Sequence, residues 1–310
     1  MTFPEKRLIN NQSISRQTSF LIRLVWCVMT LCIAQAAMTL PVHADTSETP
    51  TLETVREAQK ILSGVTQETP LIPVVSSIDG NHVWLKLENL QKTGSFKLRG
   101  AYYKISQLTT SERQRGITTC SAGNHAQGVA YAARHFGIRA TIFLPDNAPK
   151  EKIAATRSYG VDVVLVKGSF DDAKAKSLEF AQKTGAVYIP PFDDNAIIAG
   201  QGTIALEILK QLPDVDVIVV PVGGGGLISG IALTAKSLKP AIRVYGVQAA
   251  NMPSMVQSIK AGHIVMLTGA PTIADGVNVG APGNITFDLA RKYVDGIVIL
   301  DEKQINKAVM

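Results

Sequence analysis

The feature that most restricts how this chain can fold is a regular alternation of short apolar runs with amphipathic segments. The runs Ile117 to Ser121, Ala140 to Leu144, Val161 to Val166, Val187 to Ile189, Val215 to Val220 and Arg243 to Gln248 read as strands. Gln127 to Phe136, Asp171 to Thr184, Gly202 to Gln211 and Leu227 to Ser237 carry helical spacing between them. Short connections between such elements imply right-handed strand–helix–strand units, hence an α/β fold of parallel sheets covered on both faces. A helix over Thr51 to Leu62 and a short strand over Val83 to Glu88 precede the alternation. With 310 residues the chain can form one large domain or two smaller lobes around a sizeable core. A composition 46% hydrophobic and 18% charged excludes disorder and coiled coil.

The first 44 residues read as a targeting segment: a basic stretch ending at Arg23, an uncharged apolar run from Leu24 to Leu40, then Pro41-Val42-His43-Ala44 as a small-residue cleavage site. Cleavage after Ala44 and export are expected. An uncleaved membrane anchor and an organellar transit peptide are the alternatives. Half of the formal net charge of +6 belongs to this leader, where Lys6, Arg7, Arg16 and Arg23 face Glu5. The remaining mild excess and an aromatic share of 6% give no case for a nucleic-acid partner. Cys27 and Cys32 also lie in the leader, so a mature chain keeps only Cys120 and has no internal disulfide.

Ligands of open α/β sheets bind at the carboxyl ends of strands, and three loops there stand out. In Glu88 to Gly100 a lysine, Lys97, follows an aromatic residue and small residues at the start of an expected helix, with Ser95 as a candidate cap. A helix N-terminus and Arg99 nearby disfavour an ammonium and lower its pKa toward the range of Schiff-base chemistry. The plainer reading is a solvated lysine. In Ser121-Ala122-Gly123-Asn124-His125-Ala126-Gln127-Gly128, hydroxyl, amide and backbone N–H groups are arranged to hold a carboxylate. The plainer reading there is a turn capped by Ser121 or Asn124, with a structural His125. Metal-ligand spacing is absent. In Val219 to Gly230, the four glycines Gly223, Gly224, Gly225 and Gly226 separate a strand from a helix beginning at Leu227. Bare N–H groups there can wrap a phosphate, and the spacing matches neither nucleotide-binding glycine motif. A flexible connection is disfavoured, because four glycines lower stability unless close backbone contact requires them.

A lysine for an aldehyde, a carboxylate-holding turn and a phosphate cradle together describe a site for pyridoxal phosphate and an amino acid. The combination resembles the serine/threonine dehydratase family, above all the catabolic threonine dehydratases. The Lys97 segment, Ser121 to Gly128, the tetraglycine loop and Thr272 to Asn284 carry the likeness, which runs from about Leu52 to the last residue. The resemblance implies a tryptophan-synthase β-like, fold-type II architecture. A small lobe over 119–196 would be inserted into a large cofactor-binding lobe over 45–118 and 197–310. It implies Lys97 as the residue that carries the cofactor and removes the Cα proton. Ser121, Gly123, Asn124 and His125 would hold the substrate carboxylate, and Asn124 would also face the cofactor's 3-hydroxyl. Gly223, Gly224, Gly225, Gly226 and Leu227 would bind the phosphate. L-Threonine would give 2-oxobutyrate and ammonia, serving amino-acid catabolism or isoleucine biosynthesis, and L-serine would give pyruvate. A homo-oligomer is implied as well.

Three departures bear on this expectation. Serine racemases carry a serine at the position of Ala122 as a second base, and alanine cannot carry a proton. They also bind a divalent cation through a glutamate where this chain has Gln248, a weaker ligand for a hard cation, so no metal site is expected. Family members continue past the point equivalent to Met310 with a strand and helix that supply a partner for the pyridine nitrogen. A dehydratase is the leading expectation. A racemase or β-replacing synthase, and a non-catalytic protein that keeps the cofactor or amino-acid pocket, remain open. A membrane-tethered structural protein is the last alternative.

Overall fold

The structure, a computed structural model, describes residues 49–74, 80–121 and 123–309. The leader over 1–44 and Ala122 lie outside the described residues. Helix α1 (Leu52–Leu62) begins at Thr51, whose hydroxyl accepts from the Thr54 N–H while the Thr54 hydroxyl accepts from the Thr51 N–H. Two of the helix's orphan donors are thereby satisfied, and its apolar stripe of Val55, Ala58 and Leu62 is buried. Strands β1 (Leu71–Pro73) and β2 (Trp84–Lys86) pair antiparallel. Beyond them come helices α2 (Lys97–Ser106) and α3 (Thr110–Arg115).

A four-stranded sheet follows, built from β3 (Ile117–Cys120), β4 (Ala140–Pro145), β5 (Asp162–Val166) and β6 (Val187–Tyr188) in the order β5-β4-β3-β6. All its pairings are parallel. Helices α4 (Asn124–Phe136), α5 (Lys150–Arg157) and α6 (Phe170–Thr184) make the crossovers. Every residue of β3 and β4 is buried, as expected of central strands covered on both faces. The strand order steps outward from β3 to β5 and then returns to the other side of β3 with β6. This reversal is a topological switch point, and it opens a crevice beyond the carboxyl end of β3.

Helix α7 (Asn195–Gln211) leads to a second parallel sheet, in which β7 (Val217–Pro221), β8 (Arg243–Ala249) and β9 (Gly296–Leu300) lie in sequential order. Helices α8 (Gly226–Leu238), α9 (Ser254–Ala261), α10 (Asn284–Tyr293) and α11 (Glu302–Val309) accompany it. The α/β class with parallel sheets stands as expected. One boundary differs by a full two turns: α7 starts at Asn195, whereas the expected helix began at Gly202. Gly200 serves close approach there, since a Cβ on it would lie 2.6 Å from the Gly100 Cα of α2. The glycine lets two helix backbones touch, at a helix-propensity cost that packing offsets.

One apolar cluster joins α2 and α4 to β4 through Leu98, Ile105, Val129, Ile142 and Leu144. Another joins α8 to β7 and β8 through Ile228, Ile231, Val220 and Val244, with Phe287 of α10. Each such side chain contributes about 1.5–3 kcal/mol by leaving water.

Candidate active site

Lys97 opens α2 after a loop in which Gln91, Thr93 and Ser95 are buried and Gly94 takes the left-handed conformation, φ +74°. The cap differs from expectation. Phe96 occupies the cap position without a side-chain hydrogen bond, and the Ser95 hydroxyl only accepts a long 3.4 Å bond from the Lys97 N–H. The lysine Nζ is buried and donates to the Pro191 carbonyl at 2.6 Å. Burial lowers its pKa from 10.5 to about 8, because desolvation penalises the ammonium. The direction is the expected one, but Arg99 is not the cause. Its guanidinium, 1% exposed, is held by Glu88 at 2.8 Å and Glu207 at 2.6 Å, and Glu207 also takes Lys86 at 2.6 Å. Burial works against the Arg99 charge, and the hydrogen bonds and fields of Glu88 and Glu207 outweigh it, so its pKa rises. This buried quartet anchors α2 through Arg99, two residues after the lysine.

The turn after β3 ends in α4, whose cap position is Gly123, without a side-chain acceptor. The Ser121 hydroxyl accepts from the Gly123 N–H at 3.2 Å, so neither Ser121 nor Asn124 caps the helix, and the first N–H groups of α4 have no intrahelical partner. Asn124 is exposed. His125 is buried, and its Nε2 lies 3.1 Å from the Ile189 carbonyl. A carbonyl only accepts, so Nε2 carries the proton and Nδ1 presents a lone pair that finds no partner among the described residues. Burial first, then the charge of Lys97, lowers the His125 pKa to about 3. The imidazole is therefore neutral and brings no positive charge to the turn.

The third loop closes the site. A cavity of about 70 Å³ is lined by Lys97, Gly223, Gly224, Gly225, Gly226 and Leu227, together with Phe96, Pro191, Phe192, Gln201, Val277 and Val279. Gly225 caps α8 in the left-handed region, φ +98°, and offers no side-chain acceptor to the first turn. A Cβ on Gly224 would sit 2.5 Å from three ring carbons of Phe192. The Thr286 hydroxyl fixes the loop from behind by donating to the Gly224 carbonyl at 2.6 Å and accepting from the Gly283 N–H at 2.9 Å. Asp193 accepts from the N–H groups of Asn284, Ile285 and Thr286 at 2.9–3.2 Å, capping α10 across more than ninety residues of sequence.

These residues fit a group that bears a phosphate and an aldehyde. The glycine backbone lines the cavity at the positive end of α8, packed so closely on Val277, Phe192, Met255 and Thr286 that no Cβ fits on any of the four glycines without displacing a neighbour, and the same cavity holds an amine with a depressed pKa. The cavity brings Lys97 and the Gly223–Leu227 loop together. Ser121, Gly123, Asn124 and His125 do not line it; they form the neighbouring turn, joined to it through His125, Ile189 and the next carbonyl but one, that of Pro191. Sequence reasoning assigned no role to Pro191, Phe192, Gln201, Val277 or Val279. A Pro-Pro-Phe-Asp-Asp run directly after a strand was the signal available for the first two.

The chain matches the family model described as "Pyridoxal-phosphate dependent enzyme" over residues 62–310. It is 52% identical to the L-threonine ammonia-lyase of Thermotoga maritima over 262 residues, 84% of this chain and 65% of that protein. It is 44% identical to the catabolic L-threonine dehydratase of Escherichia coli over 261 residues, 84% of this chain and 79% of that protein. The chain thus spans slightly under two thirds of the first relative's length. Among solved structures, maize serine racemase superposes with a TM-score of 0.81 at 37% identity, covering 84% of this chain and 80% of that one. The processed threonine deaminase isoform 2 of Solanum lycopersicum gives 0.78 at 39%, covering 85% and 75%.

Proposed function

This chain belongs to the pyridoxal-phosphate dependent enzyme family, and from that premise we propose that it is an ammonia-lyase acting on L-threonine, with L-serine as a second substrate. The observation that carries the reading is the buried Lys97 amine, its pKa lowered to about 8, in one cavity with the tetraglycine loop. The named activities of the two relatives supply the substrate. Pyridoxal phosphate, when bound, supplies the electron sink that makes a Cα proton removable. The protein supplies position and proton transfer. Gly223, Gly224, Gly225, Gly226 and Leu227 hold the phosphate with backbone N–H groups. Lys97 holds the aldehyde and, once displaced by the substrate amine, takes the Cα proton on Nζ. The Pro191 carbonyl keeps that nitrogen aimed into the cavity. The Ser121–His125 turn orients the carboxylate through neutral donors. Water leaves from Cβ and is regained at Cα, so L-threonine yields 2-oxobutyrate and ammonia.

Serine racemase is a structural neighbour, but alanine at position 122 offers no proton for a second base, which favours elimination over racemisation. We keep export after cleavage at Ala44, a small lobe over 119–196 and a homo-oligomer as parts of the proposal; N-terminal sequencing of the mature protein and its mass in solution test the first and the last. The central test is the visible spectrum of the protein with pyridoxal phosphate, before and after L-threonine. A band that changes while 2-oxobutyrate accumulates, and that Lys97→Ala abolishes, is the expected result. A band that persists in Lys97→Ala removes the assignment.

A further inference from the structure

The Ser121–His125 turn contains no cation, yet an amino-acid substrate brings a permanent carboxylate to it. His125 is neutral, and the Ser121 hydroxyl, which accepts from the Gly123 N–H, can offer a carboxylate only a neutral O–H donor. Besides Lys97, which acts on His125, an ammonium reaches the turn from another element. Lys152, on α5, places its Nζ 4.0 Å from where a Cβ on Gly123 would stand. From there it donates to Asp275 at 2.5 Å. Asp275 precedes Gly276 and Val277, which line the cofactor cavity, and the Val277 Cα would meet a Cβ on Gly223 at 3.0 Å. The ion pair therefore runs from the rim of the carboxylate turn to the wall of the cofactor cavity.

Its exposure matters. The Lys152 side chain is 36% exposed and that of Asp275 is 75% exposed. Water and salt screen such a pair, so its net worth is small and Asp275 is readily replaced as partner. A carboxylate held on neutral donors beside a desolvated cavity gains more from the same ammonium. We propose that Lys152 is the substrate-binding residue that receives the charge of the amino acid's α-carboxylate, exchanging Asp275 for it when substrate enters. This inference rests on the amino-acid reading above, and goes beyond it in assigning the charge partner to a residue outside the loop motifs.

The proposal is tested on the holo protein by titrating its visible band with L-alanine, which has no β-hydroxyl to lose, and with L-alaninamide, which lacks the carboxylate. Lys152→Gln is expected to weaken L-alanine binding roughly tenfold, about the worth of one charge-assisted hydrogen bond, and to leave alaninamide unchanged. Lys152→Arg restores most of the loss. Asp275→Asn acts in the opposite direction, leaving L-alanine binding unchanged or tighter because the ammonium is released. Unchanged melting temperatures identify these as binding effects. If Lys152→Gln and Asp275→Asn weaken L-alanine equally, or if Lys152→Gln weakens the amide as much as the acid, the pair is only a tie between two elements and the proposal is overturned. A wild-type band that L-alanine does not move overturns the amino-acid reading itself, and this inference with it.

Discussion

The two parallel sheets position their loops by different means. In the four-stranded sheet β3 and β4 are buried throughout, and hydroxyls stitch the neighbouring chains: Thr118 donates to the Thr141 carbonyl at 2.8 Å and Thr119 to the Ile189 carbonyl at 2.7 Å. In the three-stranded sheet alternate residues of β7 face outward, with Val219 62% exposed, and β9 exposes the adjacent pair Val298 and Ile299. The cradle at its end is shaped by the absence of side chains. Its backbone is pressed between Phe192, Met255 and Thr286. A loop held by side-chain hydrogen bonds tolerates losing one, whereas a loop held by backbone contact tolerates no added atom.

Gly225→Ala tests the second half of that contrast most severely. The new Cβ meets the Met255 Cε at 2.7 Å and the Thr286 Cβ at 2.8 Å, in a backbone region that costs an L-residue about 1–2 kcal/mol. Overpacking adds about 1–3 kcal/mol, so retention of pyridoxal phosphate through gel filtration should fall roughly a hundredfold. Gly224→Ala should fail for a different reason, its clash with the Phe192 ring, and Phe192→Ala should relieve it. If the second substitution rescues Gly225→Ala equally well, the cradle is governed by that one ring and not by backbone conformation.

Lys97 belongs to both regions, since it lines the cavity beside the glycine loop while its Nζ reaches the Pro191 carbonyl beyond β6. Its pKa is about 8 when folded and near 10.5 when exposed. Between these values the unfolded chain binds more protons, so stability rises with pH through this group. Below pH 8 the full cost of the buried ammonium applies, about 3 kcal/mol. Lys97→Met should therefore stabilise the cofactor-free protein by up to that amount at pH 7, with the gain shrinking from pH 8 toward 10.5. Denaturant midpoints across that range check it, and a pH-independent gain would assign the effect to packing instead. His125, whose pKa burial lowers from 6.5 to about 3, should by the same reasoning make stability fall as the pH drops below about 6.5 toward 3, because the unfolded imidazole takes up a proton that the folded one does not.

Threonine-to-valine changes measure the contrast more gently. Thr286→Val removes a donor to Gly224 and an acceptor for Gly283, which should cost about 1–3 kcal/mol and loosen the cofactor as well. Thr119→Val removes one donor in the other sheet and should cost about 1 kcal/mol while leaving cofactor affinity unchanged. Paired measurements of unfolding and cofactor dissociation distinguish them. A cofactor effect from Thr119→Val would mean that the two loops are coupled more tightly than their separate supports suggest.

The parts of this arrangement that were legible in the sequence are those decided locally. Strands β3, β4, β7 and β8 follow from apolar runs, and the glycine loop and Lys97 follow from residue type next to a strand or helix end. Strand β9, a run of the same kind, was not read from the sequence, where the strands end at Gln248. Strand β1 has only three residues, too few for a period to register. The early start of α7 was hidden because glycine weakens a helix by itself, and its partner Gly100 lies a hundred residues away. Pro191 and Phe192 were illegible for the same reason: a carbonyl that meets Lys97 across 94 residues of sequence leaves no local signal. The Arg99 charge network misled the electrostatic expectation, since proximity in sequence to Lys97 says nothing about which carboxylates neutralise it.

Ala122 separates the regions by chemistry instead of by support, and predicts the smallest change. The residue lies outside the described part of the structure, so the expectation rests on residue type and on its place between Ser121 and Gly123. With Lys97 alone able to take and return a proton, the substrate is served from one face. Ala122→Ser introduces a hydroxyl in the carboxylate turn, while the cradle at the other sheet is untouched. Racemisation of L-serine should then rise relative to pyruvate formation, by a few-fold at most, because a serine placed without evolved neighbours is a weak base. Cofactor affinity should not change. Chiral chromatography of residual serine alongside a pyruvate assay reads the ratio. An unaltered ratio would mean that the turn after β3 only orients the carboxylate and that proton delivery is confined to the Lys97 side.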